Sequence, residues 1–393
     1  MNKYKMSFWN YTSPARMTED GDVEGFGDDI EKLGINLAMT PPYREPSHKE
    51  VVLAVLDECE RRGIKALISD TRTSFYTLNK VGEEAFRKGV AEAVADFGSH
   101  PATYGFLIGD EPDLKLWDDA VNAFNIVKDA TPNLTNLLNF FPCYWNGFEQ
   151  RMGCATHEYA DYLDDFLKRT GATILAYDYY SQCCYDDRSK WIDIYFKNLN
   201  MFRKVAKENG AELFTSLLSV GHWMYRCPNE DDFRWQISTA IAHGVVGIMW
   251  FFIFQKGMFI ENYRTAPIDV FGERSETFEW LSRQDRIFMT RTAKLLDKYK
   301  FEKVEHWTTQ YGETPKFKGD GILKSINPVE MHEPLAITYF KADDGETCVG
   351  ITNLSQEKPT IFDIVFEGEL SKHTGRCHLA PGQIRVYTKE ETM

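Results

Sequence analysis

The sequence predicts an α/β fold: a closed eight-stranded parallel (β/α)8 barrel over residues 1–300, followed by a small antiparallel β-sandwich over residues 301–393. Three observations carry this reading. Short apolar runs alternate eight times with amphipathic segments, and past about residue 300 the apolar period switches to two. No glycine-rich dinucleotide loop follows the first apolar run, where Trp9-Asn10-Tyr11-Thr12-Ser13-Pro14 offers no GxGxxG. Strict βα alternation favours closure, because each crossover is right-handed and the eighth strand then lies beside the first. An open doubly wound sheet is the runner-up.

The runs that read as strands are 6–11, 35–39, 64–69, 103–108, 134–141, 173–179, 212–220 and 245–254, and helices fall at 27–33, 48–62, 82–97, 117–130, 158–169, 190–209 and 231–243. In 48–62, Val51, Val52, Val55 and Leu56 share one face at helical spacing. Gly34, Gly63 and Gly244 sit where the preceding helix must stop, since glycine accepts the left-handed cap. A helix over 276–300 joins the two parts, and strands follow at 335–341, 348–354, 360–366 and 384–387, with Asp343-Asp344-Gly345 as a hairpin turn. There is no solenoid repeat or low-complexity linker, so a rigid unit is expected.

At 393 residues the chain is long enough for one domain of roughly 250–300 residues and a smaller one. A net charge of −14, from 45 basic and 59 acidic residues, argues against nucleic acid or an anionic membrane as partner. Nine Trp and nineteen Tyr suit flat apolar platforms with a polar tip, on which sugar rings stack. The start shows no secretory signal and no run spans a membrane. Eight cysteines without a CxxC or paired metal spacing fit a reduced, cytoplasmic protein needing no metal or other cofactor. The expected partner is a carbohydrate, with an oligomer left open.

The most informative stretch is 102–113, where an apolar strand runs into Asp110, Glu111 and Pro112. Gly109 allows close approach of a ligand or backbone, and Pro112 ends ladder pairing. The plainer reading is an acid pair that caps the next helix. In a parallel barrel the active site sits at the carboxyl ends of the strands. The residues delivered there are Trp9, Asn10 and Tyr11, then Tyr43, then Asp70 and Arg72, then Asp110 and Glu111. The remaining strands bring Asn139, Tyr144 and Trp145, then Asp178, Tyr179 and Tyr180, then Ser219, His222 and Trp223, and last Trp250 and Gln255.

Acids, amides and aromatics without a Cys/His cluster describe a sugar pocket. Glycoside hydrolysis needs a protonated acid beside the leaving oxygen and a charged group facing the oxocarbenium ion. Glu111 is the candidate acid. Asp110, one residue earlier on an extended chain, is expected on the other side of the strand, buttressing a neighbour or binding a substrate amide or hydroxyl. Its charge would still raise the pKa of Glu111. Trp9, Asp70, Arg72, Asn139, Trp145, Tyr179, Tyr180, His222, Trp223 and Trp250 are the candidate substrate-binding residues, with Trp250 equally readable as core. Asp178 is the candidate second carboxylate, its plainer role being to hold Arg72 or His222. Glu261 and Glu273, after the eighth strand, are late-arriving alternatives.

The eight-strand plan, the Glu ending the fourth strand, the aromatic eighth strand Gly247-Ile-Met-Trp-Phe-Phe and the C-terminal sandwich together resemble the (β/α)8 glycoside hydrolases of the clan A type. That resemblance implies an acid/base in an Asn-Glu pair on the fourth strand and a Glu nucleophile ending the seventh. Here the pair is Asp110-Glu111, and the seventh strand runs through Leu213-Phe-Thr-Ser-Leu-Leu-Ser-Val-Gly-His-Trp without a carboxylate. The Asp-Glu pair is also similar to that of the substrate-assisted hexosaminidases, in which the Glu is the acid and the Asp orients a 2-acetamido group that attacks. The Tyr-Asp-Tyr at 177–179 is similar to a feature of barrel hexosaminidases and chitinases. Two other classes stay open: a non-catalytic sugar-binding barrel, and a lyase or isomerase using Asp70, Asp178 and His222 as metal ligands.

Overall fold

Eight parallel strands, β1 Lys5–Phe8, β2 Leu37–Met39, β3 Lys65–Ser69, β4 Thr103–Asp110, β5 Leu137–Phe140, β6 Ile174–Asp178, β7 Glu212–Leu218 and β8 Val245–Phe251, pair in the order β1-β8-β7-β6-β5-β4-β3-β2. The computed structural model describes residues 3–12, 23–184, 188–255, 262–329 and 331–390. Pairing of β1 with β8 is parallel, so the doubly wound alternative is excluded. Among the described residues β1 and β2 form no strand ladder, and a backbone bond from Asn36 N–H to the Met6 carbonyl at 3.1 Å closes the seam together with side-chain amides. Asn36 Nδ2 donates to the Tyr4 carbonyl and its Oδ1 accepts from Met6 N–H, both at 2.8 Å. Asn10 Nδ2 donates to the Met39 carbonyl at 3.0 Å. These amides satisfy backbone groups that a missing ladder would strand.

Period-two alternation sorts the side chains into an interior and an outer core. Leu37, Met39, Leu67, Leu137, Ile174, Ala176, Phe214 and Met249 fill the barrel, whereas Ala38, Ile68, Leu138, Phe140, Leu175, Tyr177, Ile248 and Trp250 pack beneath the surrounding helices. Gly247 is required inside, because a Cβ there would stand 2.4 Å from the Phe214 ring.

The chain after the barrel forms β9 Tyr299–Trp307, β10 Leu323–Pro328, β11 Leu335–Ala342, β12 Thr347–Asn353, β13 Thr360–Phe366, β14 Gly375–Leu379 and β15 Ile384–Tyr387. They make two antiparallel sheets, β15-β12-β11-β9 and β10-β13-β14, around a core that includes Leu323, Ile337, Ile351 and Phe362. Strands β9, β10 and β14 add to the four read from sequence. They lie at sheet edges; β9 carries several charges that blur its alternation, and β10 and β14 are short and hold few apolar residues. The expected helix 276–300 runs as Glu276–Ile287, a π turn over Phe288–Thr292 and a last turn Ala293–Leu296, and β9 begins at Tyr299. The expected helix 82–97 is present as Glu83–Ala93, continued by a π turn over Val94–Gly98, and a further short helix, Phe75–Val81, precedes it across Gly82 with φ +80°. The sandwich docks on helix Glu230–Ala242, where Trp235 Nε1 donates to the Leu354 carbonyl at 2.8 Å and Thr338 Oγ1 to the Ala242 carbonyl at 2.9 Å.

All eight cysteines are free thiols, seven of them buried, and they serve as small core residues. No helix among the described residues is long and apolar enough to cross a membrane.

Candidate active site

At the end of β4 the local backbone departs from a regular strand twice. The register against β5 slips between Leu107 and Gly109, and Glu111 adopts φ +49°, a left-handed conformation uncommon for a non-glycine residue. Gly109 itself has φ +144° and packs so tightly against Phe75 that a Cβ would come within 2.4 Å of that ring. The consequence corrects the simple alternation: Asp110 and Glu111 do not diverge to opposite faces but share one rim.

Asn139 on β5 gathers that rim. Its Nδ2 donates to Asp110 Oδ1 and to Asp178 Oδ1, each at 2.8 Å, and its backbone carbonyl accepts the Glu111 N–H at 2.9 Å. Asp178, inward-facing on β6, is hydrogen-bonded to Glu111 and to the Tyr180 hydroxyl as well. Burial, followed by the charges of Asp178 and Asp110, holds the Glu111 carboxyl well above the usual carboxylate range. Burial also raises Asp178, but hydrogen bonds from Asn139, Glu111 and Tyr180 oppose the rise. Burial and the flanking charges thus act more strongly on Glu111 than on Asp178, which favours the proton on Glu111.

Aromatic rings wall the acids. Tyr180 stacks on Phe251 with centroids 5.3 Å apart, and His222 lies among Tyr180, Tyr225, Phe251 and Tyr263 at 5.0–6.0 Å. Trp9 forms the floor, donating its indole N–H to Ser216 Oγ at 2.8 Å and stacking on Tyr11. Tyr11 lies close enough to Asp110 and Asp178 that their charges add to burial in raising its phenol pKa. Trp223 stands 63% exposed at the tip of the 222–225 turn, with φ +42°. Trp145 is half-buried, its indole N–H donating to the Pro142 carbonyl at 3.0 Å.

Five expected substrate-binding residues are placed otherwise: Asn139, 1% exposed, is engaged with the acids themselves, and four more are turned into the core or into an internal ion pair. The Asp70 side chain is fully buried and held by Arg72, which donates from Nε and Nη2 to Asp70 and from Nη1 to Asp96. Arg72 also lies over the Tyr43 ring at 3.9 Å, so the pair is an internal ion pair beside β3. Tyr179 is in the outer core, because alternation sends Asp178 and Tyr180 inward and Tyr177 and Tyr179 outward. Trp250 is likewise a core residue: fully buried, it meets Phe233 edge-on and donates its indole N–H to Asp285 at 2.9 Å.

Asp178 does not hold Arg72, whose carboxylate partners are Asp70 and Asp96. The metal-ligand set Asp70, Asp178 and His222 is not assembled. Among the described residues the only cluster tight enough to share an ion is Asp57, Glu60 and His100, with both acids exposed. Glu273 is exposed in a turn held by Asp269, and Glu261 lies outside the described residues. Phe251, Phe252, Tyr225 and Tyr263 complete the wall without having been picked from the sequence. Phe251 had a signal, since it alternates with the outward Trp250; Tyr263 arrives on a loop and had none.

No protein-family profile matches the chain, and no curated protein sequence matches it. Solved structures do. The β-galactosidase of the psychrophilic Marinomonas ef1 aligns with a TM-score of 0.57 over 75% of this chain and 62% of its own, at 11% identity. The β-galactosidase of Bacillus circulans sp. alkalophilus aligns with a TM-score of 0.57 over 77% and 58%, at 11% identity. GH5_18 of Streptomyces cattleya, solved in complex with GlcNAc, aligns with a TM-score of 0.52 over 74% and 82%, at 13% identity. The likeness is one of fold. The chain spans about three-fifths of the length of the two β-galactosidases.

Proposed function

We propose that this chain is a glycoside hydrolase that cleaves an O-glycosidic bond in a neutral sugar, with Glu111 as general acid/base. The observation that carries the reading is the contact of the buried Glu111 carboxyl with Asp178 at the carboxyl mouth of the barrel, where burial and the neighbouring acids favour the protonated form of Glu111. When a glycosidic oxygen enters, it takes the place of Asp178 as acceptor of the Glu111 proton. Asp178 then faces the positive charge that develops on the sugar ring. The aromatic wall offers apolar faces for the ring's C–H groups, and Trp223 a platform for the next unit. A panel of nitrophenyl glycosides tests this. Chromophore release that disappears in Glu111→Gln supports hydrolysis; tight sugar binding without release supports the non-catalytic barrel instead.

The same contact favours a second reading of the mechanism. Glu111 and Asp178 contact one another directly, which leaves no room between them for the sugar carbon or water that a retaining pair at roughly 5–5.5 Å or an inverting pair at roughly 6.5–9.5 Å accommodates. Asp178 therefore suits the partner of a substrate acetamide whose own oxygen attacks. In that substrate-assisted N-acetylhexosaminidase reading Asp178, rather than Asp110, accepts the acetamide N–H beside the Tyr180 hydroxyl. A neighbour in fold binds GlcNAc, which agrees with this substrate class. Turnover confined to 2-acetamido substrates supports the second reading, and equal turnover of plain hexosides rejects it.

A further inference from the structure

Asn139 is 1% exposed, so it cannot serve as a substrate ligand without moving. Its amide is committed in a way that has one stable orientation. The two Nδ2 hydrogens point at two carboxylate oxygens, 2.8 Å from Asp110 and 2.8 Å from Asp178. Its Oδ1 is buried without a partner. An orphaned buried acceptor is costly. Turning the amide over would be costlier, since Oδ1 would then face two acceptors and each acid would lose the Asn139 donor. The amide donates but cannot take a proton, so both oxygens it serves are favoured as charged acceptors. Meanwhile the Asn139 carbonyl anchors the Glu111 backbone at 2.9 Å. One residue thereby touches all three acids of the mouth.

We propose that Asn139 is the positioning residue of this site: it keeps Asp110 and Asp178 ionised and so confines the mobile proton to Glu111. This rests on the reading of Glu111 as the acid, and it adds the device that selects which carboxyl holds the proton. The groups that face the trio from other elements include Tyr11 behind β1, Tyr76 behind β3, Tyr159, Tyr180 and Tyr225, together with Arg151, whose charge acts on Glu111 in the opposite sense. Of these the Tyr180 hydroxyl is hydrogen-bonded to Asp178 and remains a donor when Asn139 is replaced.

The test follows the Asp178 proton directly, by carboxyl-carbon NMR of protein labelled at aspartate, with the resonance assigned by its loss in Asp178→Asn. In Asn139→Leu, which matches volume and removes both donors, the Asp178 midpoint moves up by about one pH unit or more. With any nitrophenyl glycoside that is turned over, the acid limb of the kcat profile moves up with it and kcat falls about ten- to hundredfold. Asn139→Ser, which restores one donor, gives a smaller shift. An unchanged Asp178 midpoint in folded Asn139→Leu or Asn139→Ser overturns the proposal. So does a wild-type protein in which Asp178, not Glu111, holds the proton at neutral pH, a result that needs no Asn139 variant. Full turnover in Glu111→Gln would instead sink the reading of Glu111 as acid while leaving the NMR outcome to judge Asn139.

Discussion

Two clusters of acids lie a short way apart on the carboxyl rim of the barrel, and they are built on opposite principles. Behind β3, Asp70 is buried against Arg72, which reaches on to Asp96, and Lys49 closes the chain at 2.6 Å. Every carboxylate there meets a cation: burial raises Asp70, and the hydrogen bonds and charge of Arg72 oppose the rise. Between β4 and β6, Glu111 and Asp178 meet each other and an amide. Two acids in one hydrogen bond repel as dianions, and one of them keeps a proton at a pH where ordinary carboxyls have lost theirs. The first arrangement stabilises a loop; the second stores an acid. Residue type alone does not separate them, since both present aspartates at strand ends.

The largest effect that would break this contrast is on turnover. Glu111→Gln is expected to lower kcat by about 10²–10⁴-fold, the usual weight of a positioned general acid, while Asp70→Asn leaves kcat within a few-fold. Equal losses in both variants would abolish the distinction. Stability is expected to respond in the reverse order. Asp70→Asn leaves Arg72 short of its buried partner and should cost about 3 kcal/mol in urea unfolding, although Asp96 retains part of the pairing.

Glu111→Gln, by removing a buried acid, should stabilise by about 0.5–2 kcal/mol. The sign follows from linkage. The folded pKa of Glu111 is raised, so the folded state is penalised once the unfolded chain has released that proton. The stabilisation by Glu111→Gln is therefore absent at pH 3, appears as pH rises past the ordinary carboxyl range and is full above the folded pKa. A melting-temperature difference that is flat from pH 3 to 9 would contradict it. Activity follows the same two groups: it should fall as pH drops far enough to protonate Asp178 and as pH rises through the Glu111 ionisation, giving a bell whose upper limb lies above that of an ordinary carboxyl.

A second contrast, between two tryptophans, is smaller. Trp223→Ala at the exposed mouth should raise KM several-fold, about 1 kcal/mol of stacking, with the melting temperature unchanged. Trp250→Phe should do the opposite, lowering stability by about 1–2 kcal/mol through the lost donor to Asp285 and leaving KM alone.

What could be read in the chain itself was whatever depends on neighbours a few residues away. The eight strands, the capped helices and the switch to period two after residue 300 are all consequences of local periodicity, and Glu111 stood out because a strand ran straight into it. Alternation carried on into the strand ends also sorts Tyr180 inward from Tyr179, and Phe251 inward from Trp250. The partnership of Glu111 with Asp178 was beyond that reach. It needs the register slip before Gly109, a left-handed Glu111, and an asparagine from a third strand, and these meet only after the sheet has closed on itself. Local sequence decides which faces of each strand are apolar; which acid ends beside an arginine and which beside another acid is decided by contacts between strands far apart in the chain.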